Sequence, residues 1–129
     1  MYPEDLKYTR EHEWARVEGD RATVGITDYA QDALGDVVFV QIPDVGTRVV
    51  QGDSFSEVES TKSVSDVYAP VSGTVSERNA LLEDRPELVN EAPYGEGWLV
   101  VLQVDAGVDL AELMDAAAYR AFIEQVEPH

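Results

Sequence analysis

Apolar and polar positions alternate along this chain in short runs broken by turn residues. In RATVGIT, Ala22 to Thr27 forms a short β-branched run preceded by the turn-like Glu18-Gly19-Asp20. With the mixed segment YTREHEWARVE before it, this pattern predicts a hairpin. Thr27 or Asp28 can cap a short helix through Tyr29, Ala30 and Leu34, with Gly35 as its stop. A strand from Val37 to Ile42 follows, closed by Pro43. Two short apolar stretches, punctuated by Gly46 and Gly52-Asp53, lead into VESTKSVSDVYAP. There the pattern predicts two strands, one ending at about Ser60 and the other beginning at about Val64. Val71-Ser72-Gly73 turns into a further strand, TVSERN, and RPELVNE gives one helical turn with Pro86 at its first position. The most apolar strand, Gly97 to Val104, belongs in the core. At the end, Leu110, Leu113, Met114, Ala117 and Ala121 recur at helical spacing, which predicts a closing amphipathic helix over about 109–125.

Short strands with frequent turn signals argue for a mainly β sandwich or barrel with peripheral helices. There is also an internal echo. Asp44-Val45-Gly46 through Gly52 leads into the central lysine segment and Tyr68-Ala69-Pro70 through Gly73 leads out of it. Two similar half-motifs flanking a protruding hairpin would read this way.

Composition narrows the function. The 129 residues fit a single domain over 1–129, large enough for a real core and short for an enzyme with a deep site of its own. No apolar run approaches a bilayer span, and the start MYPEDLKYTREHEW has neither signal-peptide nor transit-peptide character. The expected location is cytoplasmic, or the mitochondrial matrix if this is a processed chain. A net charge of -17 argues against nucleic acid and anionic membrane as partners, and suits solubility or steering toward basic docking faces. The chain has no cysteine, so any thiol chemistry must come from a cofactor. His12 and His129 have no second ligand at metal-site spacing, and Trp14 and Trp98 read as packing residues.

Lysine is nearly absent. Seven of the nine basic residues are arginine; the lysines are Lys7 and Lys62. Lys62 falls at the predicted hairpin tip among the small residues Ser60, Thr61, Ser63 and Ser65. A flexible amine held away from the body is what a modifying enzyme needs, and acylation would turn it into a longer neutral arm.

Lys62 with Gly46, Gly52 and Gly73 around it resembles the swinging-arm hairpin of lipoyl and biotinyl carrier domains. Biotinyl carriers place methionines beside the lysine; Thr61 and Ser63 stand here instead, which disfavours biotin. YTREHEW, VGITDYAQDALGDVVFVQIPDVG, VESTKSVSDVYAPVSG and LVNEAPYGEGW, in that order and nearly from end to end, resemble the H protein of the glycine cleavage system. The resemblance implies a barrel-sandwich hybrid with lipoate in amide linkage on Lys62. It also implies a shuttle that catalyses nothing itself. The arm would take an aminomethyl group from the pyridoxal-phosphate glycine decarboxylase to the tetrahydrofolate-dependent aminomethyltransferase. The dithiol would then go to the flavin (FAD) dihydrolipoamide dehydrogenase, and a lipoyl-attaching enzyme would be a further partner. By the same motifs, Glu13 and Asp66 correspond to the acidic pair that holds the amino group of the loaded arm. Ser56 and Glu57 depart from the family pattern, and Ala33 stands where some members carry a histidine near the arm. The chain is expected to act as a monomer. Other readings are a relay of lipoyl or octanoyl groups in protein lipoylation, an enzyme in its own right, and an acidic interaction module without cofactor.

Overall fold

The structure, a computed structural model, describes residues 2–108, 110–111 and 113–126. Among these, nine strands and four short helices follow one another as β1 (Lys7–Tyr8), β2 (Glu13–Glu18), β3 (Arg21–Ile26), α1 (Asp28–Leu34), β4 (Val37–Gln41), β5 (Arg48–Val49), β6 (Ser54–Ser60), β7 (Val64–Tyr68), β8 (Gly73–Arg78), α2 (Leu81–Asp84), α3 (Leu88–Glu91), β9 (Val100–Val104) and α4 (Ala116–Val126). They form a six-stranded sheet in the order β1-β2-β3-β9-β8-β5 and a three-stranded sheet in the order β4-β6-β7. The expected mainly β fold with peripheral helices and a C-terminal helix is present. Its two antiparallel sheets stay open, without a closed barrel among the described residues.

Both sheets contribute to one core. Val24 and Ile26 of β3, Val75 of β8 and Leu102 of β9 pack in the same cluster as Val40 of β4, Val58 of β6 and Val67 of β7. Burying apolar surface on the inner faces is what holds two open sheets together. The segments that flank the lysine hairpin pair with each other: Arg48 is in register with Thr74, and the Gly46 N–H donates to the Val75 carbonyl at 2.8 Å. The echo in the sequence therefore marks the base from which the hairpin projects.

The local signals of α1 are used as read. The Thr27 hydroxyl accepts from the Ala30 N–H, and Gly35 ends the helix at φ 82° with its N–H on the Gln31 carbonyl. Longer-range bonds shift other boundaries. The strand expected from Gly97 joins the ladder only at Val100, because Gly97 donates to the Ala92 carbonyl and Asn79 Nδ2 takes the Trp98 carbonyl. A Cβ on Gly97 would stand 2.5 Å from the Leu88 carbonyl oxygen, so the close turn requires glycine there. The helical turn expected at Pro86 begins at Leu88, with the Val89 N–H on the Pro86 carbonyl.

The closing helix differs most from the periodic reading. It starts at Ala116, not near residue 109, because Met114 exchanges both backbone bonds with Tyr8 at 2.8 Å and so belongs to a β-bridge. Residue 109 itself lies outside the described residues. The Asp115 side chain accepts from the Ala118 N–H and caps the helix, fixing its rotation. Ala116 and Tyr119 are then buried while Ala117 and Ala121 are exposed. This face covers a second, aromatic cluster with Leu6, Tyr8 and Trp14, where the Tyr8 and Tyr119 rings stack at 4.8 Å.

Gly25 is the tightest point beneath that cluster. A Cβ there would meet the Trp14 ring at 2.7 Å, and the ring cannot swing freely because its Nε1 donates to the Pro93 carbonyl at 2.9 Å. Gly25→Ala is therefore expected to destabilise the protein by about 2 kcal/mol, as overpacking does. Urea unfolding would measure the loss, and red-shifted tryptophan emission would report the displaced ring. Unchanged stability and emission would show that the ring relocates without strain.

Candidate functional site

The turn between β6 and β7 is held by Ser60. Its Oγ accepts from the N–H groups of Lys62 and Ser63, both at 3.1 Å, while its own N–H donates to the Ser63 carbonyl at 2.8 Å. Ser60 is buried. Next to it the Thr61 N–H donates to the Asp36 carbonyl at 3.0 Å, tying the tip to the loop between α1 and β4. Lys62 itself is exposed, and among the described residues no hydrogen bond or ion pair engages its amine. A rigid turn thus presents one free primary amine. The pattern of a serine two residues before the tip is a local turn signal.

Two hollows lie near the hairpin. The larger, about 860 Å³, is lined by Thr9, Glu13, Gln51, Tyr68 and Pro70 among others. The smaller, about 250 Å³, is lined by Tyr29, Ala30, Ala33, Leu34, Ser63 and Asp66 among others. Its apolar walls suit an aliphatic arm ending in a small ring, and it begins one residue from Lys62. The acidic pair named from the sequence is divided between the hollows, Glu13 in the larger and Asp66 in the smaller, with Glu11 on the rim of both. Strand β7 links them, since Tyr68, which contacts Glu13, stands two residues after Asp66.

Glu13 is only 2% exposed. The Thr9 hydroxyl donates to its Oε1 at 2.6 Å and the Tyr68 N–H to its Oε2 at 3.1 Å. Burial raises the carboxyl pKa from the ordinary 4.5 to about 7, against the lowering effect of these two donors, and Glu11 adds to the rise. Asp66 is exposed and accepts from Ser54 Oγ at 3.1 Å. Among the departures from the family pattern, Ala33 does line the smaller hollow. Ser56 is buried and donates to the Gln41 carbonyl, while Glu57 is exposed in register with Asp66.

Sequence reading missed the partners that set these groups in place. Thr9 is one, four residues before Glu13 across a tight turn in which His12 adopts φ 71°. His12 is another: it lines the smaller hollow, its Nδ1 is 2.7 Å from the Tyr119 hydroxyl, and its ring lies 4.5 Å from that of Tyr29. No sequence signal joins it to Tyr119. Among the described residues no three His, Asp or Glu side chains gather as a metal-binding group, and His129 lies outside them.

The Glu13 shift has a consequence for stability. Between about 4.5 and about 7 the folded carboxyl keeps a proton that the unfolded chain releases, so its contribution is full at low pH and is lost as pH rises through that window. Its size is at most on the order of 3 kcal/mol. Glu13→Gln should remove this segment from the pH profile, so that the stability difference between parent and variant changes across the window and is flat on either side. Urea unfolding at several pH values checks it; a constant difference would place the carboxyl in solvent.

Comparison with known proteins agrees with this geometry. The family model described as "Glycine cleavage H-protein" matches residues 6–126. The chain is 58% identical over 125 residues to the glycine cleavage system H protein of Anaeromyxobacter sp. (strain K), covering 97% of this chain and 98% of that one. It is 61% identical over 127 residues to the H protein of Mycolicibacterium smegmatis, covering 95% and 97%. A crystal structure of the H protein from Mycobacterium marinum superposes with a TM-score of 0.85 at 46% identity, covering 92% of this chain and 96% of that one. The chain therefore belongs to the glycine cleavage H-protein family.

Proposed function

We propose that Lys62 is the lipoyl attachment point of this chain and that Glu13 and Asp66 act as counter-ions for the loaded arm. As a member of its family, the chain is a lipoyl-bearing shuttle of the glycine cleavage system and not itself an enzyme. The observation that carries the residue assignment is the exposed amine on a turn fixed by Ser60, beside an apolar hollow. Attached through Lys62, a lipoyl group would supply a reducible disulfide, one sulfur of which would bond the aminomethyl carbon left by glycine decarboxylation while the other became a thiol. Lys62 gives it reach, and the rigid turn keeps its root in a constant place.

The residues around the arm decide how firmly it rests. Burying four lipoyl methylenes in the smaller hollow stabilises by at most about 3 kcal/mol, before the ordering of a long flexible chain is subtracted. An uncharged arm is therefore held loosely. A cationic end changes this, because a charge-assisted hydrogen bond contributes about 1.5–3 kcal/mol. Asp66 offers such a bond from the rim of the hollow. Glu13 offers one from a buried position, with its carboxylate already fixed by Thr9 and Tyr68.

On this reading the partners are the pyridoxal-phosphate glycine decarboxylase, the tetrahydrofolate-dependent aminomethyltransferase, the FAD-containing dihydrolipoamide dehydrogenase and a lipoyl-attaching enzyme. We read the shuttle as cytoplasmic and monomeric, on a cysteine-free chain whose net charge of -17 repels further copies of itself. No described helix is long and apolar enough to cross a membrane.

Lys62→Arg tests the attachment point. A guanidinium keeps the charge but is a poor acyl acceptor, so the circular dichroism spectrum should be unchanged. Intact mass should show no lipoyl increment, and glycine-dependent release of carbon dioxide with the partner enzymes should vanish. Retained release would refute the assignment, as would a lipoyl increment on Lys7.

The counter-ion role is tested by Glu13→Gln and Asp66→Asn, singly and together. Lipoylation and reoxidation should be nearly unaffected, since neither involves a cationic arm. The loaded form should release ammonia about tenfold to a hundredfold faster for each carboxylate neutralised, when measured without the folate enzyme. The assay belongs above the Glu13 pKa of about 7, where that carboxyl is charged. A single variant that decays at the parental rate removes its residue from the role.

A further inference from the structure

The Lys62 stem lies across Gly35. A Cβ built on Gly35 would stand 3.1 Å from Lys62 Cε, 3.8 Å from Nζ and 3.9 Å from Cδ. Gly35 closes α1 with φ 82°. Paired with ψ -157°, that dihedral lies in a region that essentially only glycine occupies. What glycine adds is bare backbone under the stem.

The loop that carries Gly35 is fixed from two sides. Asn90 of α3 donates from Nδ2 to the Gly35 carbonyl at 2.8 Å and to Gln31 Oε1 at 3.0 Å, and its Oδ1 accepts from the Val37 N–H at 2.8 Å. These three bonds span the end of α1, the loop and the start of β4. From the other side the Thr61 N–H donates to the Asp36 carbonyl at 3.0 Å. The seat and the hairpin tip are thereby held in one frame. The helix ending under the stem is also the one whose Ala30, Ala33 and Leu34 line the smaller hollow, opposite Ser63 and Asp66 of the hairpin.

We propose that Gly35 is a positioning residue for the arm: its bare backbone seats the Lys62 stem, Asn90 fixes that seat, and a group attached to Nζ starts along α1 toward the hollow of Tyr29 and Asp66. The proposal rests on Lys62 being the attachment point for its bearing on the arm, while the seat itself is a property of the unmodified chain. A stem rotating freely would sample every direction open to a four-carbon chain. Packing along one side removes much of that range before any arm is attached.

Two lysines make the test direct. In a chain isotopically labelled at lysine Cε, Lys7 and Lys62 are the sole signals. The unmodified parent should show an Overhauser effect between the Lys62 ε-methylene and the Gly35 α-protons. Gly35→Asn fills the seat, at the cost of strain in a backbone that glycine alone adopts, and should abolish this effect; Asn90→Ala leaves Gly35 itself unchanged, releases its loop and should weaken the effect too. Gly19→Asn, at φ 64° with nothing within 4 Å of its Cβ, is a positive-φ substitution away from the stem and should preserve it. In the lipoylated chain, verified by intact mass, relaxation of the Lys62 Cε signal should report a more mobile stem in Gly35→Asn and an unchanged one in Gly19→Asn. A parent without the Overhauser effect, or a Gly35→Asn chain whose stem stays as ordered as the parent's, overturns the proposal. An intact mass that places no lipoyl group on Lys62 would instead refute the attachment reading and leave the seat to be judged on the unmodified chain's spectrum.

Discussion

At the base of the β6–β7 hairpin the Gly52 N–H donates to the Ala69 carbonyl and the Ala69 N–H to the Asp53 carbonyl, both at 2.9 Å. These two bonds close the foot of the strands that carry Lys62. An isolated two-stranded hairpin is marginal in water, so a tip that must present an amine needs its strands anchored in something larger. Here β4 pairs on one side of β6, and Val58 and Val67 reach into the common core with under 3% of their surface exposed. The same strands turn Glu57, Glu59, Val64 and Asp66 outward. Rigidity is thus supplied by the buried face, and the recognisable surface around the lysine by the exposed one.

The buried Glu13 carboxyl joins the N-terminal turn to this hairpin. It bonds Thr9 on its own side and the backbone of Tyr68 on the other, so the strand that returns from the lysine touches the segment that opens the fold. Burial raises the pKa of this carboxyl from the ordinary 4.5 to about 7. Desolvation already raises the free energy of its charged form, and an arriving cation would relieve that penalty while expelling the proton. Were Glu13 to meet the arm, it would hold a positively charged end more firmly than a neutral one. A counter-ion in bulk solvent would lack this contrast, because water would stabilise its charge in both cases.

What the sequence made legible was mostly local. Thr27 and Gly35 bound a helix by capping chemistry that needs no tertiary partner, and the serines around Lys62 encode a turn in the same way. The hairpin and its lysine followed from strand alternation and from the rarity of lysine. Other features depended on distant partners. Met114 looks helical by spacing, yet Tyr8, more than a hundred positions earlier, takes both its backbone bonds and delays the helix to Ala116. Asp66 and Glu13 match one motif set, yet they line different hollows. His12 finds Tyr119, and Gly35 finds Asn90, across loops whose closure no local pattern encodes.

Selectivity for one amine follows from the fold as much as from composition. Lys7 sits in β1, where it is in register with Ala15 on a two-residue strand that also bridges to Met114 through Tyr8. Its strand is paired to β2 and, through Tyr8, to Met114, so drawing Lys7 out as a loop would break those pairs. Lys62 needs no such opening, since Ser60 satisfies the backbone of the turn from within and the side chain is exposed. Arginine carries the remaining positive charge and stays protonated at any physiological pH, so it does not compete as an acyl acceptor. An attaching enzyme then needs to tell apart only two lysines, and backbone geometry already distinguishes them.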